Sequence, residues 1–536
     1  MKRLYENGTV LTMDDAAPFA ESLVEENGKI LAVGTAADLR SAYPQAERHD
    51  LQGGVMMPAF LDAHSHFSAV ASGMLQVSLK GCGDFSAVRK KIETAVRDGT
   101  VRKGEWLQVK DYDQNNLRER CRLDAALLDA VAPENPVMVQ HQCGHTGVCN
   151  SAAMRLLGIT QNTPDPVGGR YGRNADGTPN GYLEENAFFA NIRKVPLPDG
   201  RALLGAYDRA QKKYASYGIS TVQEGMMVSQ SVPMHRLLLE SGALRLDLVS
   251  YPEFPAAEEL YSAFSEYSRG YRQHYRLGGI KIFLDGSPQE RTAWMRPQSA
   301  YLPQKPGGKR DTGSGVLDEK AVERAVVWAA QHGVQLLAHC NGDAAAQQYL
   351  MAVEAAERQF PHLAELRPVM IHAQLLAPDQ LMRVHACGVV PSFFVAHVYH
   401  WGDLHIQNFG LARASKISPA ADALRAGIRF TFHQDSPVIA PDMLETVWCA
   451  RNRVTKAGVL LGAEERISVW EALKAITVNA AWQYGELRTK GSLVPGKNAD
   501  FVLLDRNPMA VLPEDIRHIK ILRTVKDGET IFESGC

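Results

Sequence analysis

The sequence predicts an α/β protein: a (β/α)8 TIM-type barrel, with a small β-domain formed by both termini and a large α+β insertion after the first barrel strand. Three observations carry that expectation. Apolar runs of strand length alternate with helical stretches from Phe60 onward. The two ends of the chain share another texture, short strands with Asn-Gly and Asp-Gly turns. The first apolar run ends near His66 and the second begins only near Gly218, whereas a barrel unit uses about 30 residues.

Residues 2–57 read as short strands. Asn7-Gly8 precedes TVLTM, and Asn27-Gly28 separates ESLVEE from KILAVG, both as hairpin signals. At the far end, ADFVLLD and IKILRTVKDGETIFES, with a turn at Asp527-Gly528, look the same. Neither end alone makes a comfortable sheet, because small sheets need partners. Residues 1–57 and 487–536 are therefore expected to pair into one composite β-domain beside a barrel of residues 58–486.

Eight barrel strands are expected: MMPAFLDAH, GISTVQEG, LRLDLVSY, GGIKIFLDG, GVQLLAHC, RPVMIHA, CGVVPSFF and GIRFTFHQD. EKAVERAVVWAAQH and AADALRA are among the helices between them. Residues 80–205 form the insertion. GEWLQVKDYDQ and NPVMVQHQCGH read as its strands, NSAAMRLLGI and LEENAFFANIRK as helices, and GRYGRNADGTPNGY as a hairpin. Emerging after strand one, on the carboxyl face of the barrel, the insertion is expected to act as a lid.

Composition narrows the function. The chain has 536 residues, 45% hydrophobic and 22% charged, enough for an ordinary soluble core. Its 58 basic and 60 acidic side chains leave a net charge of −2, which argues against nucleic-acid and anionic-membrane partners. No apolar run reaches the roughly 18 residues of a membrane span. The start, MKRLYENGTVLTMDD, has no apolar core of a signal peptide. Eight cysteines without a C-x-x-C pair fit reduced thiols, and a cytoplasmic protein is expected. Assembly into a homo-oligomer stays open.

The chemistry gathers at strand ends. His64 and His66 leave the first strand at i and i+2, on one face, as two imidazoles of a metal site would. His339 ends strand five, His372 strand six and Asp435 strand eight. Barrels of this class build active sites from residues at the ends of several strands, and imidazole and carboxylate are ligands for zinc and related metals. Lys281 alternates with Ile280, Ile282 and Leu284 in strand four, so it points into the barrel if those face the helices. A buried lysine is costly and needs a reason, an ion pair to Asp285 or Glu224 being the plain one.

The stretches MPAFLDAHSHF, PVMVQHQCGHTGVCNSAA, IKIFLDGSPQERTA, LLAHCNGDAA, RPVMIHAQ, HQDSPV and KGSLVPGKNADFVLLDRNP resemble the amidohydrolase superfamily, in particular its amidohydrolase-3 branch. The resemblance spans nearly the whole chain and implies a (β/α)8 barrel, a β-sandwich domain formed by both termini and a metal centre at the barrel mouth. His64 and His66 would hold one ion and His339 and His372 a second. Lys281, carboxylated by CO2, would bridge them, and Asp435 would be ligand and general base. One or two divalent ions are implied, zinc first, manganese or iron as alternatives. Two departures line the mouth: His433-Gln434 where the family has Gly-Ser, and Ala344 after Gly342-Asp343 where it has Arg. His145 and Arg291 are candidates for substrate contact.

The expectation is a hydrolase of a non-peptide amide bond in a small molecule. The alternatives are an aminohydrolase of a heterocyclic amidine, an ester or lactone hydrolase on the same barrel, and, last, a non-enzymatic scaffold.

Overall fold

The computed structural model describes residues 1–303 and 307–535; Cys536, one of the eight cysteines, lies outside the described residues. The chain divides into two compact units. One comprises Met1–Ser68, Tyr207–Gly313 and Asp318 to the C-terminus, the other Ala69–Ala206 with Ser314–Leu317.

In the first unit eight strands follow the expected order: β1 (Phe60–Leu61), β2 (Ile219–Met227), β3 (Asp247–Pro252), β4 (Gly279–Phe283), β5 (Gln335–Cys340), β6 (Val369–His372), β7 (Val390–Phe393) and β8 (Thr431–Phe432). They lie in two parallel sheets rather than one continuous closed sheet. The first is β1-β2-β3 with Tyr275–Leu277 on its edge, the second β4-β5-β6-β7-β8. The break falls at Gly278-Gly279. A Cβ on Gly279 would sit 1.9 Å from the Gln335 carbonyl oxygen, and one on Gly278 2.5 Å from the Tyr251 ring. Only glycine lets the chain pass so close as it leaves β3 for β5. A Glu253–Lys281 bridge links the two sheets there. At the other edges, His66 N donates to Ser436 O at 2.8 Å, just beyond β8. Leu61, Val249, Tyr251, Leu337, Val369, Ile371 and Val390 form a core between the strands. They arise from the near-continuous apolar runs that a sheet covered on both faces requires.

The expected helix before β5 spans Glu319–His332. Asp318 caps it by accepting from Ala321 N, and Gly333 ends it in the left-handed region (φ 63°). The helix of AADALRA spans Ala420–Arg425. None of the described helices is long and apolar enough to cross a membrane.

The two termini share a sheet. Val55–Pro58 runs antiparallel to Phe501–Leu504, inside a six-stranded order that also holds Thr9–Leu11, Phe19–Ala20, Ile521–Lys526 and Glu529–Glu533. A four-stranded sheet contributes Tyr5, Leu23 and Ile30 to a common core with Val10, Met56, Phe501 and Val525. Asn27-Gly28 and Asp527-Gly528 are hairpin turns with both residues at positive φ, as expected. Asn7-Gly8 is not a hairpin. The strands on either side, Lys2–Glu6 and Thr9–Leu11, belong to different sheets, so the pair is a corner. Gly8 is needed there because a Cβ would lie 2.5 Å from Gly54 O.

Phe501→Ala is expected to destabilise the protein by about 3–5 kcal/mol, the range for a buried aromatic. The urea midpoint of this variant checks it. An unmoved midpoint would mean that the shared sheet is not part of the cooperative unit.

The second unit has its own six-stranded mixed sheet. Its spatial order is Gly169–Arg173, Pro179–Glu185, Thr146–Cys149, Val137–His141, Leu107–Tyr112, Val77–Ser78. Val88 and Ile92 of one helix and Leu127 and Leu128 of another pack into one core with Val109, Val137 and Val139 of this sheet. The Asn/Asp/Gly-rich hairpin is present between Gly169–Arg173 and Pro179–Glu185. The helix expected over LEENAFFANIRK starts only at Asn186, because Tyr182–Glu184 pair with Thr146–Val148 in the sheet. The compact unit also begins earlier than residue 80, at Ala69.

Candidate metal centre

All six side chains that the sequence singled out as ligands converge in the first unit, three from within parallel strands (Lys281, His339 and His372) and three from just beyond strand ends (His64, His66 and Asp435). His64 and His66 follow β1, and their Nε2 atoms both lie 3.4 Å from Asp435 Oδ1. The two imidazoles meet at that oxygen although both lie beyond the strand, which ends at Leu61, and not within it. Lys281 is the third residue of β4, fully buried, with Nζ 3.2 Å from His64 Nε2. Its amine meets this ring instead of forming the ion pair to Asp285 or Glu224 weighed from the sequence. His339, the residue before the last of β5, has Nδ1 3.2 Å from His372 Nε2, and that same His372 nitrogen is 3.9 Å from Asp435 Oδ2. Asp435 thus stands between two groups of rings, one oxygen toward each. His64, His372 and Asp435 offer ligand atoms all within 4.8 Å of one another.

The backbone aims these groups. His372 (φ 72°), Ala373 (φ 47°) and Asp435 (φ 51°) are in the left-handed region, which for such residues costs on the order of 1–3 kcal/mol each. The chain turns out of the strand line at these points. Next to them, Asp285 accepts from Asn341 N (2.9 Å), Gly342 N (2.7 Å) and Trp294 N (3.0 Å), tying the loop after β4 to the loop after β5. Phe283 stacks on the His339 ring at 4.7 Å.

Hydrogen bonds fix the His64 tautomer. Gln223 donates through Nε2 to Ala63 O (2.9 Å) and Tyr484 Oη (3.1 Å), so its Oε1 must accept from His64 Nδ1 at 2.6 Å. The proton is on Nδ1, and the Nε2 lone pair faces Lys281 and Asp435. An outer-shell acceptor that orients a ligand imidazole works in this way.

Electrostatics favours neutral donors. Burial, aided by Lys281, pushes His64 well below the usual imidazole range, and burial with the neighbouring His339 does the same to His372. Burial lowers His433 to about 3. Lys281 is pushed down to about 7 by burial, against the opposing pull of Asp435. The Asp435 Oδ1 atom is buried and without a hydrogen-bond partner. Lone pairs on imidazole and carboxylate that face one another with an orphaned oxygen among them fit a divalent cation.

His433 stands out in the sequence as a departure at the mouth. It is fully buried, with Nε2 3.1 Å from His372 Nδ1 and Nδ1 2.9 Å from Ser392 Oγ. Alternation could have placed it, since it precedes Asp435 by two residues. Gln223 carried no such signal. Arg291 is engaged elsewhere: it donates to Asn408 Oδ1 (2.9 Å) and Leu302 O (2.8 Å) and covers the Tyr301 ring. His145 belongs to the second unit, buried, with Nδ1 2.8 Å from Glu185 Oε2.

Comparison with known proteins gives this geometry a context. The model of the amidohydrolase family matches residues 47–532, and that of an imidazolonepropionase-like composite domain of bacteria matches residues 26–46. The chain is similar to an N-substituted formamide deformylase of Arthrobacter pascens, 28% identical over 98% of this chain and 97% of that one. It is also similar to the putative amidohydrolase YtcJ of Bacillus subtilis, 26% identical over the full length of both. Among solved structures, a metal-dependent hydrolase of Pyrococcus horikoshii superposes with a TM-score of 0.76, at 22% identity, over 96% of this chain and 99% of that one.

Proposed function

The chain belongs to the amidohydrolase family and is a hydrolase of carbon–nitrogen bonds other than peptide bonds; from that premise we propose that it cleaves a linear amide of a small molecule at the centre just described. N-substituted formamides are the first substrates to test, because the deformylase of Arthrobacter pascens is similar across almost the whole chain. The two parallel sheets are read as one (β/α)8 barrel, and the two sheets of the termini as a β-sandwich.

One observation carries the reading. The Asp435 carboxylate stands between two histidine groups, its Oδ1 without a hydrogen-bond partner and facing His64 and His66, its Oδ2 facing His372, within the field of the buried Lys281 amine. His64, His66, His339, His372 and Asp435 would hold one or two divalent ions, zinc in the first instance. Lys281 would complete the donor set as a carbamate: its unprotonated amine attacks CO2, an N–C bond forms and a proton leaves. That places an anion where the structure otherwise buries an amine. When bound, the metal polarises the carbonyl and acidifies water.

The chain's own residues do the rest. Asp435 takes a proton from the attacking water and delivers it to the departing nitrogen, base first and acid second. Gln223 keeps the His64 lone pair directed inward. The buried rings around the centre exclude bulk water, which strengthens each of these interactions.

The test is a hydrolysis screen of metal-replete protein against N-substituted formamides, other N-acyl amines and cyclic amides, reading the amine and the acid released. Amine and acid in equal amounts are expected. Ammonia released from a heterocyclic amidine, with the amides untouched, would replace this reading with deamination.

A further inference from the structure

His433 has been given no role so far, yet it is as deeply placed as any ligand candidate. Its surroundings can be read by proton accounting. His372 turns Nε2 toward the centre, where Asp435 Oδ2 and His339 Nδ1 lie 3.9 and 3.2 Å away. A ring nitrogen that holds a metal carries no proton, so the proton of a neutral His372 must be on Nδ1. Nδ1–H then needs an acceptor, and the atom facing it at 3.1 Å is His433 Nε2. With Nε2 accepting, the proton of His433 is on Nδ1, where Ser392 Oγ lies 2.9 Å away. Phe394 packs against both rings, with centroids 6.1 Å from His372 and 5.3 Å from His433. The device parallels Gln223 on His64, with an imidazole in place of an amide.

We propose that His433 is a positioning residue for the metal centre: it accepts the Nδ1–H of His372, is itself held by Ser392, and so locks His372 with its Nε2 lone pair facing the metal. This rests on the metal-dependent reading above. Ser392 lies on β7 and His372 ends β6. His433 follows β8, so the chain of bonds spans three neighbouring strands.

The test uses the full chain with zinc and with cobalt as probes. Metal stoichiometry by elemental analysis, affinity by chelator competition and the visible bands of the cobalt form are compared among wild type, His433→Gln, His433→Phe and Ser392→Ala, with circular dichroism as the folding check. His433→Phe keeps an aromatic ring but has no acceptor, and metal affinity should fall about 10–100-fold, the scale of losing an outer-shell partner. His433→Gln offers an amide oxygen to His372 Nδ1–H and should recover most of that loss with wild-type cobalt bands. Ser392→Ala should weaken binding less than His433→Phe does. Unchanged affinity in His433→Phe would overturn the proposal. So would altered cobalt bands with a lost metal equivalent in both His433 variants, since His433 would then be a ligand itself. Wild-type protein that takes up neither metal would instead overturn the metal-dependent reading, and this inference with it. Should His433→Phe misfold, the Gln and Ser392→Ala variants decide: wild-type affinity in Ser392→Ala together with lost affinity in Gln refutes the relay.

Discussion

Lys281→Ala is expected to fold, to lose most of its metal, and to lose ~10²–10³-fold or more in turnover, the scale of removing a group that stabilises charge at the reacting centre. The argument begins with cost. The side chain is fully buried, and its amine has a histidine nitrogen rather than a carboxylate within hydrogen-bond distance. Burial lowers its proton affinity to about 7, so at neutral pH a large share is free amine, the form that reacts with CO2. A lysine in such a place does not serve stability. Lys281→Met, which keeps the length and removes the amine, should therefore melt no lower than wild type when both are metal-free. Lys281→Ala leaves space beside His64, and short carboxylic acids added in solution should restore part of the metal and the turnover by supplying the missing carboxylate. Metal content, melting temperature and turnover on the same preparations check all three statements. Metal retained at wild-type level by Lys281→Ala would exclude a bridging role and favour a single-ion site built on His64, His66 and Asp435.

How legible this centre was depends on which signals are local. The alternation of Lys281 with Ile280 and Ile282 is a property of any strand, and it placed the amine inside before any contact was known. His64 and His66 were legible as a His-x-His pair after an apolar run, although both lie beyond the strand itself. His433 shares the alternation with Asp435, but a dipeptide seen as a departure from a pattern says what is missing, not what the new residue meets. Its partners, His372 and Ser392, lie on other strands, and only the fold brings them within 3.1 and 2.9 Å. Gln223 is still less visible. It is an ordinary amide in an apolar strand, and its meaning comes from Ala63 O and Tyr484 on one side and His64 on the other. Asn7-Gly8 is the opposite case, a strong local signal misread. Turn chemistry reports that the chain reverses or bends, not whether the flanking strands pair. Here Gly54 crowds the corner, and the strands part into separate sheets. The break at Gly278-Gly279 also had its signal in the paired glycines. Their purpose is set by the approach of Gln335 and Tyr251, which no local pattern contains.

Asp435→Asn is expected to keep its fold and much of its metal while turnover falls by about 10²–10⁴-fold, the scale of losing a general base. The carboxylate sits at the turn after β8 with φ 51°, a conformation that asparagine adopts as readily as aspartate. The substitution should thus leave the backbone aim intact. What changes is charge and basicity. Asp435 Oδ1 faces the Nε2 atoms of His64 and His66 at 3.4 Å, and Oδ2 faces His372 Nε2 at 3.9 Å. An amide oxygen can stay on one side as a weak ligand, but the amide nitrogen then points N–H groups at the other. Those N–H groups can neither accept a proton from water nor pass one to a departing nitrogen. Binding of substrate, which needs no proton transfer, should be affected much less, so the loss should appear in kcat rather than KM. The measurement is metal content, kcat and KM on one preparation, with whichever amide the screen identifies. A metal-loaded Asn variant turning over near the wild-type rate would remove Asp435 from the proton transfers.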